Sequence, residues 1–228
     1  MSDALPVSEV AGAPGSTMGA GLAALLGDVA AGRYPPADGT VTIMPQPSPR
    51  DAGVLAFTAY SVVFVDADPA WVRSLLPPGD LAGPMLPSFL LAVCARIGRR
   101  ATSADMLCVA EARPGPPPIR LDELRAARHP RVERALRCRD DVKAWEVPGG
   151  VLTLGRGVAG RWEVAVEIDP GYRDHGLGRE LIAAARHLLP EGTPIWAQIT
   201  PGNAASVRAF LAAGYRPAGA EVQFIAAP

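Results

Sequence analysis

The residues best suited by type and spacing to do chemistry are Arg173-Asp174-His175-Gly176-Leu177-Gly178. They fall where an alternating apolar run gives way to an amphipathic one. Two glycines two positions apart at a strand-to-helix junction let successive backbone N–H groups converge without Cβ atoms in the way, at the positive end of a helix dipole. Such a nest suits a phosphate or pyrophosphate, although the same glycines also serve close packing. The spacing differs from the dinucleotide G-x-G-x-x-G. The strand before it belongs to an antiparallel run, not to a parallel βαβ unit, which argues against a Rossmann site. On that strand Glu163 and Glu167 could each act as a general base, or stand on the sheet surface as ordinary solvated carboxylates. His175 reads as a hydrogen-bond donor or a solvent-facing group, and His129 and His187 as surface residues. Tyr172 flanks the loop, and Tyr215 reads as a packing aromatic. Cys94, Cys108 and Cys138 form no C-x-x-C and have no histidine at ligand spacing, so no metal site is expected and the thiols read as buried groups of a reducing cytoplasm.

The elements that must position the loop follow from periodicity. Trp162, Val164, Val166 and Ile168 alternate with Glu163, Ala165 and Glu167, the mark of a strand with two unlike faces. Residues 142–147 and 151–156 read as two strands before it, joined through Pro148-Gly149-Gly150 and through Val158-Ala159-Gly160 into an antiparallel meander. After the loop, Leu177, Leu181, Ala184, Ala185 and Leu188 recur at helical spacing up to Pro190. A strand over 195–199 follows, then a helix from about Asn203 with Val207, Phe210 and Leu211 inward, Gly214 at its end, and a last strand over 222–225. Upstream, two helices are expected over 121–128 and 130–137, the second burying Val132, Ala135 and Leu136. Their arginines read as a solvated face or as a docking patch for an acidic ligand.

The first half reads as strands over 54–58, 61–65 and 106–110 and helices from Pro69 and over 87–97, with a helical patch over 22–29. Asp66 or Asp68 caps the first of the two helices. The Pro-rich run 113–118 is the natural boundary. The expected division is a loosely attached leader over 1–50, an α/β segment of unassigned role over 51–118, and a domain over 119–228.

The 228 residues are 49% hydrophobic and 20% charged, which excludes a disordered or fibrous chain. The 22 basic and 23 acidic side chains leave a formal net charge of -1, so no global field exists to hold nucleic acid. No apolar run is long enough for a membrane span, and the first residues lack a positive segment of the secretory kind, which together point to the cytoplasm.

The stretch Val166-Glu167-Ile168-Asp169-Pro170-Gly171-Tyr172-Arg173-Asp174-His175-Gly176-Leu177-Gly178, with Asn203 and Gly214-Tyr215 after it, resembles the GCN5-related N-acetyltransferases, the GNAT superfamily. The likeness covers about residues 121–225 and matches that family's strand, turn and R/Q-x-x-G-x-G/A loop. It implies an α/β fold of the α+β type: a mixed, mainly antiparallel sheet flanked by helices, preceded by a smaller N-terminal α/β segment. It also implies acetyl transfer from acetyl-CoA to an amine of a small molecule or protein, without a metal. By the resemblance, Arg173, Asp174, His175, Gly176, Leu177, Gly178 and Arg179 would cradle the pyrophosphate, chiefly through main-chain N–H groups. The backbone of Val166, Glu167 and Ile168 would pair with the pantetheine arm while strand 195–199 splays away. Asn203 would contact the cofactor arm, as well as capping its helix, and Phe210 would pack against that arm.

The departures concern proton transfer. The ribosomal-protein alanine acetyltransferase branch keeps a tyrosine seven residues after that asparagine and a glutamate five before it; here these are Phe210 and Gln198, neither of which moves a proton usefully near neutral pH. Three accounts stand: Glu163 or Glu167 does the proton work, positioning with water relay suffices, or the domain binds acyl-CoA without turnover. A larger acyl group would need a wider pocket near Ala165 and Ala197. The acceptor pocket is expected to draw on the N-terminal half, and a homodimer stays open as an assembly.

Overall fold

In the computed structural model, which describes residues 20–124 and 129–227, the apolar runs pair largely as their spacing predicts. The first part of the chain forms α1 (Ala20–Ala30), β1 (Val41–Met44), β2 (Gly53–Phe57), β3 (Tyr60–Phe64), α2 (Pro69–Ser74), α3 (Pro87–Ile97), β4 (Arg99–Ala101) and β5 (Asp105–Glu111). It continues through β6 (Asp122–Glu123), α4 (Pro130–Cys138), β7 (Asp140–Val147), β8 (Gly150–Arg156), β9 (Trp162–Ile168), α5 (Leu177–Ala185), β10 (Pro194–Ile199), α6 (Ala204–Ala212) and β11 (Arg216–Ala226). Sheet pairing is mainly antiparallel, with β1 parallel to β3 and β10 parallel to β9.

The chain divides into two units, one up to Met106 together with Ala218 onward, the other Leu107–Pro217. The Pro-rich run at 113–118 thus lies inside the second unit, and the last strand returns to the first. In the first unit the strand order is β1-β3-β2-β11, with β4 also on β11. Val41, Ile43, Val54, Val63, Val72, Phe89, Val222 and Phe224 form one buried cluster there. The loosely attached leader expected over 1–50 is corrected for its described part: Leu22, Leu26 and Val29 are buried and β1 pairs with β3 along its length. A four-residue strand between Gly39 and Pro45 carries too little pattern to be recognised alone. Asp68 caps α2 by accepting from the Ala70 N–H, with Pro69 at the first helical position.

The second unit orders its strands β5-β10-β9-β8-β7-β6. The helix expected over 121–128 is corrected where it can be seen: Asp122 and Glu123 pair with Glu146 and Trp145 of β7, and residues 125–128 lie outside the described residues. The edge of β7 captures Asp122 and Glu123 as a strand, overriding the helical spacing of Leu121 and Leu124. Leu136 and Leu211, expected inward, are exposed, because Val132, Ala135 and Phe210 take the buried faces of their helices. Cys138 is exposed too; Cys94 and Cys108 are buried, and burial pushes the Cys108 thiol up to about 11. The helix after the loop stops at Ala185, short of Pro190, where Arg186 turns inward to donate to the carbonyls of Glu111 and Ala213.

The two faces of β9 are covered by different helices. Val164 and Ile168 lie on the α5 side, where Leu181 and Ile168 both approach Gly150. Glu163 and Glu167 face α4, and each meets an arginine of that helix or its end: Arg131 Nε lies 2.9 Å from Glu167 Oε2, and Arg139 Nε 2.8 Å from Glu163 Oε2. The spacing matches, since eight residues of helix rise about 12 Å and four residues of strand about 13 Å. Helix and strand therefore run antiparallel in register. Glu163 is buried, and its other oxygen accepts from Arg161 Nε at 2.8 Å. Burial alone would raise its pKa; the charges and hydrogen bonds of Arg161 and Arg139 outweigh that and hold the carboxyl below its ordinary range.

Two outcomes follow. A Cβ on Gly157 would overlap the Glu163 carboxyl group, which its two ion pairs prevent from moving aside. Gly157→Ala is expected to cost about 1–3 kcal/mol in urea unfolding. The depressed Glu163 carboxyl contributes stability that is full above the unfolded-state carboxyl value of about 4.3 and is lost as pH falls through the lower folded value. Glu163→Gln should lower stability at pH 7 by about 3–5 kcal/mol and flatten the acid limb of stability against pH. An unchanged acid limb would show that the carboxylate is not held as described.

Candidate active site

β9 and β10 run parallel but pair only at Ile195↔Trp162 and Trp196↔Glu163, and then part. From Val164 to Ile168 the far edge of β9 is thus turned toward a gap, while its near edge stays fully paired with β8. A split between parallel strands exposes backbone donors and acceptors to an extended ligand, the way a sheet edge accepts a peptide.

The loop after β9 lies at the open end of this split. Asp174 has φ 64° and Gly176 φ 89°, so two left-handed residues alternate just before α5. Gly176 is the cap residue of α5 with no side chain accepting from the first turn, which leaves those N–H groups directed outward. A Cβ at Gly176 would meet nothing within 4 Å, so the cradle is open. At Gly178 a Cβ would touch only Ile168, an ordinary packing contact. Arg173 folds back, its Nε donating to the Ile168 carbonyl at 3.0 Å. Asp174, His175, Gly176 and Arg179 are exposed and Leu177 is half-buried. Oriented amides at the end of a nine-residue helix suit an anion of phosphate type.

The inner end of the split is polar. Glu163 sits at its last paired position, with Gln198 Nε2 reaching its Oε1 at 3.5 Å from β10. Arg161 lies 5.5 Å over the Trp196 ring. Glu167, toward the loop, is partly exposed and paired with Arg131. Val166 and Ile168 are half-buried on the opposite face.

The remaining expected site residues are placed as follows. Asn203 caps α6, its Oδ1 accepting from Ser206 N at 3.1 Å, and is exposed. Phe210 is buried and packs edge-on against Tyr215 with centroids 5.0 Å apart. Burial raises the Tyr215 phenol above its ordinary range. His129, expected as a surface residue, caps α4 by accepting from Arg131 N through Nδ1. His187 Nδ1 meets the Pro114 carbonyl at 3.0 Å. Among the described residues no group of three His, Cys, Asp or Glu could hold a metal, and no helix is long and apolar enough to cross a membrane.

Residue spacing did not reveal Arg139 and Arg161 as partners of Glu163. The one available signal was a glutamate two positions from Ala165 on a strand whose other face is wholly apolar, flanked by arginine just before the strand.

Comparison with known proteins bears on the same segment. The acetyltransferase (GNAT) family matches residues 125–215. No curated protein matches the chain. Among solved structures the chain is similar to a GCN5-related N-acetyltransferase from Kribbella flavida, 19% identical, with a TM-score of 0.39, over 61% of this chain and 64% of that one. It is also similar to a protein assigned to the GNAT acetyltransferases from Novosphingobium aromaticivorans, 19% identical, with a TM-score of 0.36, over 56% of this chain and 66% of that one. In both cases the match spans just under two thirds of the other chain. The stretch similar to the acetyltransferase (GNAT) family, residues 125–215, holds the split, the loop and both carboxylates of β9.

Proposed function

We infer that the second unit is an acetyl-CoA-dependent N-acetyltransferase acting on an amine. The observation that carries this reading is the parting of β9 and β10 directly upstream of an uncapped helix end, one gap suited to an extended arm and one cradle suited to its pyrophosphate. In this reading the N–H groups from Arg173 to Arg179 take the phosphates, and the β9 backbone at Val166, Glu167 and Ile168 aligns the pantetheine amides. Asn203 lies beside the same arm, and Phe210 packs behind it against Tyr215.

The chemistry is attack of a neutral amine nitrogen on the acetyl carbonyl carbon: a C–N bond forms, the C–S bond breaks, and the thiolate takes up a proton as the nitrogen loses one. Glu163 is a poor base for that proton, because two guanidinium ions hold it ionised below the carboxylate range. We assign it to positioning, keeping Gln198 and both arginines at the inner end of the split. Glu167 is engaged by Arg131 and more accessible, and water can relay the proton past it. Orientation alone supplies effective molarities of about 10⁵ M or more, enough for transfer without a dedicated base. A second reading, an acyl-CoA-binding module without turnover, is favoured by Phe210 and Gln198 standing where relatives keep proton-moving groups.

Gly176→Val should weaken acetyl-CoA binding at least about tenfold by calorimetry, since the side chain would enter the open cradle at a φ that valine resists. Unchanged binding in a folded variant would remove the site assignment. CoA release on screening amines separates the transferase from the binding module: tight binding without release from any amine favours the module.

A further inference from the structure

The following rests on the transferase reading and names the acceptor it would take. At the inner end of the split one carboxylate, Glu163, receives hydrogen bonds from two guanidinium groups. The two are not alike. Arg161 is 3% exposed by side chain and lies over Trp196, whereas Arg139 is 13% exposed and so the more accessible of the two. Arg139 meets Glu163 through Nε alone, and its Nη1 and Nη2 have no partner among the described residues. Its stem is fixed as well: a Cβ on Gly155 would come within 2.9 Å of Arg139 Cβ and 3.2 Å of its Cδ, so the glycine makes room for it. Of the neighbouring carboxylates, Asp141 is taken by Arg156 and Asp140 is exposed.

A guanidinium anchored at Nε and packed along its stem presents two parallel N–H donors in one plane, the geometry that binds a carboxylate bidentately. The anchoring is already complete before a ligand arrives, so little side-chain entropy remains to be lost. Partial burial strengthens its attraction for an anion over that of a solvated arginine. An amine with no anionic group would instead bring nothing to this fork.

We propose that Arg139 is a specificity-determining residue, and that the acceptor is a small amine carrying a carboxylate, of the amino-acid type, its carboxylate on Arg139 Nη1 and Nη2 and its amine toward the parting of β9 and β10. The test compares matched pairs that differ by the carboxylate: L-phenylalanine with phenethylamine, L-tryptophan with tryptamine, and L-ornithine with putrescine. CoA release is followed at saturating acetyl-CoA, with acetyl-CoA binding measured alongside. The wild type should favour the carboxylate-bearing member of at least one pair by about tenfold or more in kcat/KM, the size of one charge-assisted hydrogen bond. In Arg139→Gln that ratio should collapse toward one, chiefly through KM, and Arg139→Lys should keep part of it. Equal or better turnover of the carboxylate-free member in every productive pair overturns the proposal from the wild type alone, as does a ratio unchanged in both Arg139 variants. Acetyl-CoA binding with no release from any amine would instead remove the transferase reading itself, and this acceptor class with it.

Discussion

A buried carboxylate between two guanidinium groups is the interaction on which the second unit depends. Burying Glu163 uncompensated would cost several kcal/mol, so the fold must bring Arg139 and Arg161 to it, and that requirement sets much else. It fixes α4 along β9 in the register that also pairs Arg131 with Glu167. It forbids a side chain at Gly157 and crowds any at Gly155. It places Gln198 and Trp196 where β10 begins to leave β9. A structure that needed only an apolar interior would have packed this face with leucine and valine, as it does on the α5 side.

The two ends of the split are built by different physics. The inner end is held by ion pairs in a desolvated cluster, rigid and expensive to disturb. The outer end is held by backbone conformation, with Asp174 and Gly176 in the left-handed region and the first turn of α5 left uncapped. Rigidity at one end and open donors at the other suit a long ligand that is aligned along its length and reacts at its tip. This is the physical content of the proposed acetyl-CoA site.

Much of this architecture was legible in the residues. The periodicity over 87–97 matches α3 to the residue, and the alternation of β9 and the glycines after it placed the strand, the turn and the helix start. What was not legible has a common cause: it depends on partners distant in sequence. β1 is four residues long and exists because β3 offers an edge, and β6 is two residues captured by β7. Glu163 alternates onto the face expected to be sheet surface, and only the arrival of α4 and Arg161 turns that face into interior. Leu136 and Leu211 have the right spacing to be inward, yet smaller or neighbouring residues fill those faces first.

The central claim is that an acetyl-CoA arm pairs with β9 in the gap left by β10. Amide hydrogen exchange with and without acetyl-CoA tests it most directly, because it reads backbone hydrogen bonds residue by residue. The account predicts new protection over Val166, Glu167 and Ile168 and over the loop from Asp174 to Gly178, with β7 and β8 little changed. Protection confined to other segments, with these amides exchanging as before, would contradict it.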